Sequence, residues 1–150
     1  MIRTTDSRSA DAAARALYGG ARMSEQRSLI ARAVLSATGA FTADELHHRL
    51  RETSPGLGLA TVYRALAAMH AAGGVATVGE RGGSALLAHC VRDDHHHHLV
   101  CTSCGDVISV DCPLGETALA AAARAGHLVT RHEITLYGLC ARCLRAGGGA

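Results

Sequence analysis

The sequence predicts an α+β protein in two parts, an N-terminal winged helix-turn-helix followed by a small α/β unit. Three observations predict it. Apolar residues recur at helical spacing in three segments between Ser24 and Ala72, a hairpin pattern follows directly, and two Cys-x-x-Cys pairs bracket residues 101–143. Composition shifts at the same place, since seven of the ten histidines and all six cysteines fall between residues 89 and 143. The boundary is therefore expected near Ala88, with the winged helix-turn-helix over 1–88 and the cysteine- and histidine-rich α/β unit over 89–150.

At 150 residues the chain fits one ordinary domain or two small ones, and two small cores would each be marginal without a staple. The composition is 48% hydrophobic but only 3% aromatic, so the core must be aliphatic and alanine-rich. Net charge is +2 and unevenly spread: residues 1–81 hold ten Arg against seven acids, residues 82–150 five against six. That asymmetry permits an N-terminal nucleic-acid contact without demanding one. No apolar run approaches a membrane span and no apolar signal region opens the chain. A cytoplasmic protein with reduced thiols is expected.

In chain order, Ser9 to Tyr18 reads as a short alanine-rich helix ended by Gly19 and Gly20. Ser24 is a candidate N-cap for a helix carrying Leu29, Ile30, Ala33, Val34 and Ala37. Thr42 with Glu45 forms a capping box ahead of Leu46 and Leu50. After a loop with Pro55, Gly56 and Gly58, the residues Leu59, Val62, Leu66 and Met69 repeat with helical spacing up to Gly73 and Gly74. Three helices with a glycine-containing turn before the last outline a helix-turn-helix. Its last helix would enter the major groove of double-stranded DNA, led by Thr61, Tyr63 and Arg64. The pattern alone also fits a three-helix core with a solvated polar face. The strands read at Val75–Val78 and Ala85–His89, around Glu80, Arg81, Gly82 and Gly83, favour the winged helix. Beyond the histidines, strand is expected at Asp106–Val110, helix at Pro113–Ala125, strand at Leu128–Val129 and Ile134–Tyr137, and a loose end over 144–150.

Cys101 with Cys104 and Cys140 with Cys143 supply four thiolates, the donor set of a tetrahedral structural zinc. The 35 residues between Cys104 and Cys140 exceed a zinc-finger gap, so the metal would fasten both ends of a folded unit together. A thioredoxin-like redox pair would leave the second Cys-x-x-Cys and the histidines unexplained. The run His95, His96, His97, His98 is internal and shorter than a purification tag, and the His-Leu-Val-Cys that closes it favours a strand. On a strand, His96 and His98 face one way and His95 and His97 the other, so one run can feed two metal sites. Cys90 is a soft third ligand for the first, and Glu116 and His132 are available to the second. Cys112 has no companion at ligand spacing and reads as a small buried residue.

Gly58-Leu-Ala-Thr-Val-Tyr-Arg64, Thr42-Ala-Asp-Glu-Leu-His47, His95 through Gly105, and His132 through Leu136-Tyr-Gly-Leu-Cys140 to Cys143 together resemble the ferric uptake regulator family. The resemblance covers roughly residues 22–143. It implies a homodimeric, metal-responsive bacterial repressor of operator DNA with a C-terminal dimerisation domain. It places structural zinc on Cys101, Cys104, Cys140 and Cys143, a regulatory metal on Cys90, His96 and His98, and an additional site on His95, His97, Glu116 and His132. For DNA it implies Tyr63 and Arg64 on the recognition helix and Arg27 at a helix start. A thiolate with two imidazoles resembles the zinc-uptake branch. Ala40 stands where iron and peroxide sensors often carry a histidine, and Ser109 replaces a peroxide-sensor carboxylate. The aspartate that zinc sensors often add after the recognition helix is here Ala76, leaving Glu80, His89, Asp93, Asp94 or water as the fourth ligand.

The expected function is thus a zinc-dependent repressor with no small-molecule substrate and no membrane partner. Iron- or peroxide-responsive regulation is the alternative within the family. Metal storage or chaperoning would explain the histidines but not Gly58 to Arg64. An enzyme is not expected, because neither His-Glu-x-x-His nor His-x-Glu with Pro-Cys-x-x-Cys occurs.

Overall fold

The computed structural model describes residues 6–90, 95–130 and 132–147, without the side chains of residues 6–8 and 115–119. The chain divides into two compact units, one ending at Val91 and the other beginning at Arg92.

The first unit contains α1 (Asp6–Ala16), α2 (Glu25–Leu35), α3 (Ala43–Arg51), α4 (Leu59–Ala71), β1 (Val75–Arg81) and β2 (Ser84–His89). Its caps are those the sequence suggests. Ser24 Oγ accepts the Arg27 N–H at 3.2 Å. Thr42 Oγ1 accepts the Glu45 N–H, while Glu45 Oε2 accepts the Thr42 N–H at 2.9 Å, so two orphan donors are satisfied reciprocally. The other Glu45 oxygen accepts from Arg81 Nη1 at 2.8 Å and ties α3 to the end of β1. The core is aliphatic, with Ile30 and Val34 of α2, Leu46 of α3, and Val62 and Met69 of α4 fully buried.

The hairpin is longer than expected. Gly82 and Gly83 both have positive φ, 59° and 81°, and between them supply the whole two-residue loop, so Glu80 and Arg81 belong to β1. Phe41 and Leu87 exchange backbone hydrogen bonds of 2.8 Å, adding an isolated bridge to the β1–β2 ribbon. Leu17 and Tyr18, just beyond α1, are buried in the same core. The chain must pass close there. A methyl group built on Gly74 would lie 2.6 Å from Leu17 Cα and against the Leu17 carbonyl. Gly74→Ala is therefore expected to destabilise the first unit by about 1–3 kcal/mol, read as a lower urea midpoint. An unchanged midpoint would mean that Leu17 does not approach Gly74 in solution.

The second unit contains β3 (His97–Cys101), β4 (Val107–Val110), α5 (Gly115–Arg124), β5 (Thr135–Gly138) and α6 (Ala141–Arg145). Its sheet has the order β4-β3-β5, antiparallel on the β4 side and parallel on the β5 side. Leu128–Val129 is not a strand. Leu128 is 88% and Val129 40% exposed, so the pair has no apolar surface to pack against and pairs with none of the described strands. Residues 144 and 145, expected within a loose end over 144–150, belong to the short helix α6, which is capped by Cys140.

Candidate metal centres and nucleic-acid interface

β3 ends on Cys101, and the turn after it folds back, with the Gly105 N–H donating to the Cys101 carbonyl at 2.9 Å and Gly105 at φ 74°. The parallel strand β5 delivers Cys140 to the same end of the sheet, where its N–H donates to Cys101 Sγ at 3.3 Å. One turn into α6 the Cys143 N–H donates to Cys140 Sγ at 3.5 Å. The four sulfurs of Cys101, Cys104, Cys140 and Cys143 all lie within 4.8 Å of one another. Cys104 and Cys140 are 3.8 Å apart, Sγ to Sγ. Zinc–sulfur bonds of about 2.3 Å put neighbouring corners of a tetrahedron about 3.8 Å apart, so the donor set fits that ion.

Electrostatics agree. The backbone N–H groups of Cys140 and Cys104 pull the Cys101 thiol down to about 6, and the Asp106 N–H and the Arg142 guanidinium lower Cys104. Ser103 draws Cys143 down, but hydrogen bonding with Cys104 and Cys140, together with burial, outweighs it and pushes that thiol up to about 11. Four thiolates this close repel unless a cation sits among them.

The histidine run divides as the strand period requires. Rings of His95 and His97 pack edge to face at 4.7 Å, and those of His96 and His98 at 5.0 Å. Only His97 and His98 lie in β3 itself, and both are buried. Burial first, then neighbouring imidazoles, lowers the pKa of each, which keeps both rings neutral and able to bind metal. On the His95 and His97 side, His132 Nε2 is 3.0 Å from His95 Nε2 and 3.2 Å from His97 Nε2. Cys112 Sγ is 3.2 Å from the same nitrogen. Cys112 is thus not simply a packing residue. In β3–β4 pairing His97 stands opposite Val110, so continuing the antiparallel register sets Cys112 opposite His95 on the same face. That pairing is the signal that spacing along the chain lacks. The Ile134 N–H donates to His97 Nδ1 at 3.2 Å, which places the proton of neutral His97 on Nε2. For His97 Nε2 to hold a metal, that proton would have to pass to Nδ1 and the Ile134 contact would open. The Glu116 side chain lies outside the described residues, as do Asp93 and Asp94.

Cys90 follows β2 in the first unit, its N–H donating to the Gly74 carbonyl at 2.9 Å. Burial pushes its thiol pKa up. Of the other fourth-ligand candidates, Glu80 is exposed on β1 and His89 half-buried at the end of β2.

On the first unit, Thr61 and Arg64 stand one turn apart on α4, joined by an Arg64 Nη2 to Thr61 Oγ1 hydrogen bond of 3.1 Å. Both line a shallow depression with Ser24, Gln26 and Arg27 from the start of α2. Arg27 is held by the Arg22 carbonyl at 2.9 Å and lies over the Tyr18 ring, 5.2 Å from its centroid. Tyr63 is 48% exposed and donates to Asp44 Oδ2 at 3.0 Å. That hydrogen bond to the carboxylate raises its pKa and keeps the phenol a donor. Two guanidinium groups, a hydroxyl and a phenol are thus presented along the exposed side of α4 and the α2 start. Such groups bond phosphates and base edges.

Among the described residues no helix is long and apolar enough to cross a membrane. The family model described as "Ferric uptake regulator family" matches residues 18–137. The chain is 36% identical over 125 residues to a zinc uptake regulation protein of Mycobacterium tuberculosis, covering 83% of this chain and 95% of that protein. It is 37% identical over 104 residues to a ferric uptake regulation protein of Legionella pneumophila, covering 69% and 76%. Among solved structures it is similar to a zinc uptake regulator complexed with zinc and DNA, with a TM-score of 0.78 at 27% identity over 98% of this chain and 100% of that one. The chain belongs to the ferric uptake regulator family.

Proposed function

We propose that this protein is a zinc-responsive transcriptional repressor that binds operator DNA as a homodimer in the cytoplasm, and that it has no catalytic role. The observation that carries this reading is the split histidine run leading into β3, which offers imidazoles to two sides of the chain in a protein whose other unit is a winged helix. Cys101, Cys104, Cys140 and Cys143 hold a structural zinc. Cys90, His96 and His98 hold the regulatory ion, and a thiolate among its donors favours zinc over iron. The likeness to a zinc uptake regulator solved with zinc and DNA supports both choices.

Dimerisation has support in the second sheet. Ile108, Leu99 and Leu136 stand in one row across β4, β3 and β5, and Ile108 remains 51% exposed. A second copy covering that row would remove its apolar surface from water. A symmetric dimer then presents two α4 helices to half-sites about one helical turn apart. Metal selects the DNA-binding arrangement only to the extent that it binds that arrangement more tightly.

A gel-shift titration with operator DNA, with zinc and then with chelator, tests the reading. Zinc should tighten binding, and chelation should reverse it. Arg64→Ala should weaken the zinc-loaded complex by about 1–3 kcal/mol if Arg64 reads a base. Metal uptake with no metal-linked change in DNA affinity would instead show a storage protein.

A further inference from the structure

We propose that Cys112 is a metal ligand, its thiolate completing with His95, His97 and His132 a four-coordinate zinc site inside the second unit. The geometry at His132 Nε2 carries the argument. Three neighbours, His95 Nε2, His97 Nε2 and Cys112 Sγ, lie 3.0, 3.2 and 3.2 Å from it. A ring nitrogen offers one in-plane lone pair or one N–H, so it serves one good hydrogen bond in that direction, not three. A cation at the centre of the four atoms serves all of them. The four ligand atoms lie within 4.8 Å of one another. With zinc–nitrogen bonds of about 2.0–2.1 Å and a zinc–sulfur bond of about 2.3 Å, tetrahedral edges are about 3.3 Å between nitrogens and about 3.6 Å from nitrogen to sulfur. The cluster needs to open by only a few tenths of an ångström to accept the ion.

The placement is built into the sheet. His97 pairs with Val110, and extending that antiparallel register by two residues on each strand sets Cys112 against His95. Three imidazoles and a thiolate make a nitrogen-rich, soft-edged donor set that suits zinc and disfavours manganese and magnesium. Binding would form three metal–nitrogen bonds and one metal–sulfur bond; the Cys112 proton leaves to solvent, and the Nε2 proton of His97 passes to Nδ1, opening the Ile134 contact. The assignment does not depend on DNA binding.

Cobalt(II) reports it. In a Cys90→Ser background, whose four-cysteine cluster is already filled with zinc, Cys112 is the remaining thiol able to give a sulfur-to-cobalt charge-transfer band on cobalt addition. The band is expected in Cys90→Ser and in Cys90→Ser/Glu116→Gln, and its loss is expected in Cys90→Ser/Cys112→Ser. Equal bands with and without Cys112, or no cobalt-dependent band in Cys90→Ser, would overturn the assignment, as would loss of the band with Glu116→Gln alone. Circular dichroism checks that each variant is folded. Should Cys112→Ser fail to fold, peptide-resolved alkylation of Cys90→Ser decides the matter: zinc must protect Cys112, and equal labelling with zinc or chelator refutes it.

Discussion

Cys104→Ser is expected to abolish zinc retention by the four-cysteine cluster and to unfold the second unit. Among its described hydrophobic side chains only Val100 and Cys101 are buried, whereas the first unit packs Ile30, Val34, Leu46, Val62 and Met69 into one core. Leu128, Leu144 and Tyr137 are largely exposed. Within one chain, the apolar burial of the described residues is too small to offset the entropy of ordering the unit, and metal is expected to supply much of the difference. Structural zinc contributes roughly 10–16 kcal/mol of apparent binding free energy at neutral pH, all of it available to folding when the unfolded chain holds no site. Removing one thiolate forfeits much of that and leaves the other three sulfurs crowded without their cation. Metal analysis should show the loss, and circular dichroism should lose the share contributed by β3 to β5 and α5 while helices α2 to α4 and the β1–β2 hairpin of the first unit remain. A variant that keeps its zinc and its thermal transition would refute the staple.

Cys90→Ser should leave a folded protein that binds operator DNA with an affinity no longer dependent on zinc. Linkage between metal and DNA of this kind is worth about 1–3 kcal/mol, or 5–150-fold in affinity, and it should collapse towards onefold in the variant. The wild type should also show a pH signature. Burial raises the Cys90 thiol pKa, so the group is protonated at neutral pH and must release its proton to bind metal. His98 has the opposite shift, because burial lowers its pKa, so its ring is already neutral there. Zinc affinity at the regulatory site should therefore rise with pH by up to about tenfold per unit below the thiol pKa, as expected for one proton displaced. A pH series of zinc-dependent gel shifts measures it. A flat series, or a serine variant that still responds fully to zinc, would remove Cys90 from the site.

Much of the architecture was readable because its signals are local. The Thr42–Glu45 capping box, the Ser24 cap and the apolar spacing of α4 act within one or two turns. The Cys-x-x-Cys pairs and the alternation of four histidines are equally local, since backbone period alone divides His95 and His97 from His96 and His98. Other features arise between segments far apart in the chain. Leu128–Val129 reads as a strand from residue type, but a strand is held by what it packs against, and Leu128 stands 88% exposed. The helix α6 is only five residues long and is organised by Cys140 at its start, beside Cys101 at the end of β3. Gly74 reads as a helix stop, and only the approach of Leu17 shows that a side chain there would collide with backbone.

By itself the sequence determined the winged helix, the four thiolates for zinc, the two-sided imidazole run and the family, because each follows from residue type at short, regular spacing. The tertiary structure alone decided that Cys112 joins His95, His97 and His132. That encounter depends on which residues of β4 stand across from β3 and on the return of the chain through His132 before β5. Strand register between distant segments is a product of packing, and no interval counted along one chain contains it.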